Sequence, residues 1–452
     1  MKAQAVAERR QPACGARQLA EHDSRRQAAD ECRLAACAPQ SFKIIPGSIC
    51  APRGFKAAAV FCGIKRRKLD LALIASDVRA AVAGMFTTNQ VCAAPVKLSA
   101  QRVLKRVAQA IVANSGNANA CTGPQGIRDA KRMAETAAAA LNLNASDVLV
   151  CSTGRIGVPM PMENVERGIR ACAPLLARSA TNARQAAEAV MTTDTRRKEI
   201  AVEFEIGKST VRIGGICKGA GMIQPGMATM LAFITTDIAI EPDLLKRALR
   251  VAVVQSFNCI TVDGDMSTND SVIMLANGLA RNPKSEIQNS KFQSALNFVC
   301  LELAKMIVRD GEGVSRFVTL HVHGARNVAE AAAAARAIAN SPLVKTSWCG
   351  GDPNWGRILC ALGFSKAKVN ESCVDVGYAK PGSREIIFAF RRGQPTNADL
   401  KTLGKISTAR EFDLHVHLHL GPANFTMYAS DLTENYVAFN RRYESGPATF
   451  GG

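Results

Sequence analysis

From Pro46 onward the chain alternates short apolar runs, glycine-rich turns and amphipathic stretches, with no repeat of fixed period and no low-complexity linker. Segments of period 2 and period 3.6 interleaved in this way call for strands and helices woven into one α and β body. Helices are expected over Asp129–Leu141, Pro242–Ser256, Phe292–Arg309 before Gly311, and the alanine-rich Val328–Asn340 before Pro342. Strands are expected over Ile200–Ile206, Leu231–Ile238, Val318–His323 and Asp413–Leu420. With 452 residues, 47% of them apolar, the chain has material for two domains around real cores. Residues 341–452 read as the smaller, C-terminal one.

Residues 1–40 differ in character. Arg9, Arg10, Arg17, Arg25, Arg26 and Arg33 occur there with little apolar periodicity, and Glu8, Glu21, Asp23, Asp30 and Glu31 are interspersed. Organelle-targeting peptides are poor in acids, so a disordered extension is the expectation. No run approaches twenty apolar residues without charge, so no membrane span is expected and a cytoplasmic location is. Fifteen cysteines are scattered without any C-x-x-C pair, mostly among apolar neighbours, as at Cys217, Cys259, Cys300 and Cys360. They read as reduced, buried thiols, not as a zinc ribbon or a disulfide framework.

The formal charge of +19 raises the question of nucleic acid. Basic residues are dense only at Lys65-Arg66-Arg67-Lys68 and Arg196-Arg197-Lys198, and aromatic residues for base stacking make up 5%. These runs read as solvated faces, and no nucleic-acid partner is expected.

Histidine, the usual base for a hydroxyl nucleophile, is scarce. His22 lies in the extension; the others form two sets, His321 with His323, and His415 with His417 and His419. Spacing of two puts each set on one strand face, and His415, His417 and His419 bring a metal site to mind. Same-face neighbours along one strand stand about 7 Å apart, too far to converge on one ion. The sets read as the polar face of a half-exposed strand, with no metal.

A nucleophile without histidine has a simpler base, its own α-amino group once the preceding peptide bond is cut. That amine has a reference pKa of about 7.7–8.0. A hydroxyl after a small residue in a tight turn fits, and Lys218-Gly219-Ala220-Gly221-Met222-Ile223-Gln224-Pro225-Gly226-Met227-Ala228-Thr229-Met230-Leu231 ends such a turn at Thr229. Taken alone, Thr229 reads better as the first residue of an apolar strand than as a nucleophile. Other glycine- and asparagine-rich stretches, Asn114–Asn119, Ser152–Gly154 and Thr261–Asp270, have the composition of loops that carry sites.

Lys218–Met222 followed by Met227–Leu231 closely resembles the self-cleaving segment of the ornithine acetyltransferase, or glutamate N-acetyltransferase, family. Further motifs resemble that family's in its order: Gly54–Ala58, Phe86–Asn89, Asn114–Ala120, Ser152–Gly154, Met191–Thr195, Asp310–Gly313 and Gly351–Arg357. The likeness runs from about Pro46 to Ser445. It implies an αββα layered sandwich of the α+β class, cut between Ala228 and Thr229 into an α chain (41–228) and a β chain whose residues 229–340 complete the core. It also implies that the two chains stay together and pair into a heterotetramer.

The activity implied is transfer of an acetyl group from N2-acetylornithine to glutamate in arginine biosynthesis, with no cofactor and with acetyl-CoA left open as a co-substrate. Thr229 would carry the acetyl group and Thr153 with Gly154 would form the oxyanion hole. Thr192, Lys218, Thr229, Glu312, Asn440 and Ser445 would hold substrate. Lys218 suits an α-carboxylate and Glu312 an ornithine ammonium. Arg155 departs from the family's usual apolar residue, and Ala59 stands where glycine is usual. The rival reading keeps the cleavage but lets water take the acyl group, as in an N-terminal-nucleophile amidase or aminopeptidase.

Overall fold

A computed structural model describes residues 42–224, 230–282 and 288–441. The expected extension with His22, the Ala228–Thr229 bond and Ser445 lie outside the described residues. In chain order the strands are β1 (Lys43–Ile44), β2 (Phe55–Val60), β3 (Leu71–Phe86), β4 (Val107–Asn117), β5 (Val148–Arg155), β6 (Lys198–Ile206), β7 (Ser209–Lys218) and β8 (Leu231–Thr236). There follow β9 (Ile260–Thr261), β10 (Ser271–Ala276), β11 (Phe317–Ala325), β12 (Asp375–Ala379), β13 (Ile387–Arg391), β14 (Gln394–Pro395), β15 (Glu411–His417) and β16 (Ala423–Ser430).

The first sheet runs β1-β6-β7-β8-β10-β3-β4-β5, with β2 also on β3. Long β3 serves both halves. Its first part pairs with β2 and β4, its register on β4 shifts between Ala75 and Ala80, and its second part pairs with β10. A strand bulged in this way bends, so the two halves turn their inner faces to one another. Ile49, Ile74, Ile111 and Leu149 from one half share a core with Ile216, Phe233, Ile273 and Leu275 from the other. Outside one half lie the helices Gly123–Leu141 and Met162–Cys172, packed through Met133, Val165 and Ile169 on Val112 and Val150. Outside the other lie Pro242–Val254 and Gln288–Arg309, whose Leu245, Leu249, Val299 and Leu303 cover Phe204, Ile213 and Ile234. The order helix, sheet, sheet, helix is the expected layered α+β sandwich.

The second sheet runs β14-β13-β12-β15-β11-β16-β9. Val318, Leu320, Val322, Leu414 and Val416 face the helices Val328–Asn340, Pro342–Gly350, Trp355–Gly363 and Leu400–Ser407. This sheet draws in β9 and β11, both of which precede residue 341.

Val328–Asn340 is a helix over the expected residues, capped by the Asn327 side chain. Gly123–Leu141 begins well before Asp129, with Pro124 in its first turn, where a missing N–H costs nothing. The strand expected to reach Leu420 ends at His417, and His419 has φ +53°. Two sequence readings need correction. Cys360 is exposed, although its neighbours are apolar. Both basic runs bury a lysine, Lys65 and Lys198, which sit 5% and 1% exposed, so neither run is wholly a solvated face.

Candidate active site at the end of the sandwich

β7 ends on Lys218 and β8 begins on Leu231, its register partner. The connection between them is anchored at both ends. The Asp263 carboxylate accepts the N–H groups of Met222 (2.6 Å) and Ile223 (2.8 Å), and the Ile223 carbonyl accepts from Val262 N–H at 2.9 Å. Asn340 donates to the Gln224 side-chain oxygen at 2.6 Å. Downstream, the Met230 carbonyl accepts from Ser271 N–H at 2.9 Å. Met222 has φ +57°, a left-handed conformation that costs a side-chain-bearing residue about 1–2 kcal/mol. Thr229 directly precedes the anchored Met230 in sequence.

Lys218 is buried and its ammonium donates to Thr153 Oγ1 at 3.2 Å, across the sandwich from β7 to β5. A lysine can only donate, so the Thr153 hydroxyl keeps its own proton available. Burial pushes the Lys218 ammonium below its ordinary value, against the pull of Asp194. Gly154 has φ +129°, and a Cβ there would lie 2.3 Å from the Gly116 carbonyl carbon. Only glycine fits where β5 meets β4. Arg155 ends β5, and its carbonyl accepts from Ala118 N–H at 2.9 Å.

Behind Lys218 lies a buried charge cluster. Asp194 accepts from Gly219 N–H (2.7 Å), Lys198 (2.7 Å) and Thr192 N–H (2.9 Å). Burial works to raise the Asp194 carboxyl, but Lys198, Lys218 and the Gly219 N–H outweigh it and hold it down at about 2. Lys198 also meets Asp310 at 2.5 Å, and Asp310 accepts from the N–H groups of Thr195 and Arg196. Lys65, held by the carbonyls of Met191 (2.6 Å) and Leu69 (3.0 Å), is pushed down to about 8 by burial.

Glu312 meets the same connection from the other side. Its N–H donates to the Ala220 carbonyl at 2.9 Å, and a Cβ on Gly221 would sit 2.4 Å from its carboxylate. Asn440, at the end of the helix Glu434–Asn440, donates to Glu312 Oε2 at 3.0 Å. Thr433 caps that helix at its start.

The structure therefore gathers Thr153, Gly154, Thr192, Lys218, Glu312 and Asn440 around residues 218–221. Sequence reasoning gave no role to Asp194, Lys198, Asp310 or Asp263. Asp194 and Asp310 lie inside quoted motifs, which was a usable signal; Lys198 was hidden in a charge run, and Asp263 had no signal beyond its glycine-rich surroundings.

The histidines are grouped across strands. β11 and β15 are parallel neighbours in register, with His321 opposite His415 and His323 opposite His417. The ring centroids of these pairs are 4.7 and 4.4 Å apart. Burial, with the neighbouring imidazoles, lowers His323 and His415 to about 4.

The fold is a layered α+β sandwich that brings a buried lysine, a hydroxyl and a facing carboxylate together around residues 218–221. Residues 56–445 match the model of the ArgJ family. The chain is 46% identical to the arginine biosynthesis bifunctional protein ArgJ of Symbiobacterium thermophilum, over 89% of this chain and 99% of that one. It is 44% identical to the protein of that name from Caldanaerobacter subterraneus, over 89% and 100%. It is 45% identical to the glutamate N-acetyltransferase of Methanocaldococcus jannaschii, over 89% and 99%. The chain belongs to the ArgJ family.

Proposed function

We propose that this chain is a glutamate N-acetyltransferase of the ornithine acetyltransferase type, moving the acetyl group of N2-acetylornithine to glutamate in arginine biosynthesis. The observation that carries the site assignment is the buried Lys218, hydrogen-bonded to Thr153, with Glu312 on the far side of the same four residues. A cation and an anion so placed match the carboxylate and the ammonium of ornithine.

In this reading the chain cuts its Ala228–Thr229 bond, giving an α chain (1–228, with 41–228 its folded part) and a β chain (229–452) that assemble as a heterotetramer in the cytoplasm. The freed amine of Thr229 takes the hydroxyl proton as the oxygen attacks the acetyl carbonyl. Thr153 O–H and Gly154 N–H stabilise the oxyanion, ornithine leaves, and the glutamate amine collects the acetyl group. Thr192, Asn440 and Ser445 orient the ligand. Among the described residues no helix is long and apolar enough to cross a membrane. Acetyl-CoA is the second donor to assay, since two of the relatives are named bifunctional.

Purified protein given N2-acetylornithine and glutamate should yield ornithine and N-acetylglutamate in equal amounts. Acetate release without N-acetylglutamate would instead mark the amidase or aminopeptidase chemistry and refute transfer.

A further inference from the structure

Four imidazoles stand as a two-by-two grid on the face of the second sheet turned away from its helices. Along either strand the separation is about 7 Å, but across the paired strands it is only about 4.8 Å. The register of β11 on β15 therefore supplies the convergence that one strand alone does not. His323 Nε2 and His415 Nδ1 are 3.2 Å apart, close to the ~3.4 Å between two nitrogens on one tetrahedral zinc. One ligand nitrogen from each of His323, His415 and His417 falls within 4.8 Å of the other two.

The surroundings are those of a ligand set. His415 is only 9% exposed, and Nε2 of His417 is buried without a hydrogen-bond partner among the described residues. Buried imidazole nitrogens are ordinarily satisfied, so this one calls for a partner. His321, beside them, is oriented by Thr426 Oγ1 at 3.1 Å and by Asp413 at 3.9 Å, and Asp413 itself accepts from Gly382 N–H at 2.7 Å. His419, which has left the strand, pairs with Asp375 at 2.9 Å at the rim.

We propose that His323, His415 and His417 form a binding site for one divalent cation of the zinc, cobalt, nickel or copper class, with an open position for water. Three nitrogen donors select these borderline ions over magnesium and calcium, which prefer oxygen. The cation would clamp β11 to β15 in the second sheet, apart from the residues gathered around Lys218, so the proposal stands independently of the acetyl-transfer reading.

Titration of the purified full-length protein with cobalt(II) is the test, read by visible absorption and by metal per chain after gel filtration. One equivalent, with the weak visible bands of nitrogen- and oxygen-ligated cobalt, is expected, together with loss of that equivalent in His323→Gln/His417→Gln. Three results overturn the site: no bound equivalent, the intense near-ultraviolet band of a thiolate ligand, or undiminished binding in the double variant. The wild-type spectrum decides the matter even if the double variant does not fold. His417→Gln alone, at a partly buried position, supplies a milder variant in which binding should weaken at least tenfold, and unchanged affinity counts against the site.

Discussion

Thr153 is pinned from one side by a lysine that can only donate, which leaves its hydroxyl free to serve a developing negative charge. Removing one oxyanion donor typically costs about 100- to 1000-fold in kcat. Thr153→Val should lose that much in steady-state acetyl transfer with little change in the Km of either substrate. Gly221 tests the other end of the site. Its φ is not left-handed, so alanine imposes no backbone strain, but the new Cβ would lie 2.4 Å from the flexible Glu312 carboxylate and push it aside. Gly221→Ala should keep its melting temperature while the Km for N2-acetylornithine rises about tenfold or more, the worth of one charge-assisted hydrogen bond. At this scale the sequence spoke through side-chain chemistry: Lys218 and Glu312 were legible from their types and motifs. Asp194 was not given a role, because its work is to hold backbone N–H groups and lysines that come together only on folding.

At the site end of β6, Lys198 lies between Asp194 and Asp310 with almost no exposure. Removing one partner of a buried ion cluster strands the other charges and costs about 3–5 kcal/mol. Lys198→Met should lose that much stability in denaturant melts and carry the site down with it. The pH dependence follows from Asp194. Its folded carboxyl is held at about 2, below the unfolded value of about 3.9, so acid protonates the unfolded chain first. The stabilisation is complete above roughly pH 4 and disappears as pH falls toward 2. Denaturant melts between pH ~5 and ~3 should show stability falling with acid, and Asp194→Asn should flatten that fall from a weaker starting point. Lys198 was read as solvated because it closes the run Arg196-Arg197-Lys198; alternation along β6 turns it inward, and a charge count carries no sense of facing.

On the scale of the molecule, periodicity revealed four of the helices and four of the strands but not their pairing. β3 gave no sign that its halves serve opposite layers, because the shift between Ala75 and Ala80 is a matter of backbone register, which side-chain types do not report. The histidine sets were visible as strand faces, yet their adjacency depends on β11 pairing with β15 across a long stretch of intervening chain. The mixed α and β body was legible from the interleaved periods, whereas the layered sandwich was an implication of the family resemblance. The described ends of the connection between β7 and β8 are anchored at Met222, Ile223 and Met230, and Thr229 precedes Met230 in sequence. Intact-mass spectrometry after incubation with N2-acetylornithine, without glutamate, tests the proposed role of Thr229 most directly. The account predicts a fragment beginning at Thr229 and heavier by one acetyl group, with the group on Thr229 and lost to N-acetylglutamate when glutamate is added. An intact chain, or a fragment that never gains acetyl while substrate is consumed, would contradict it.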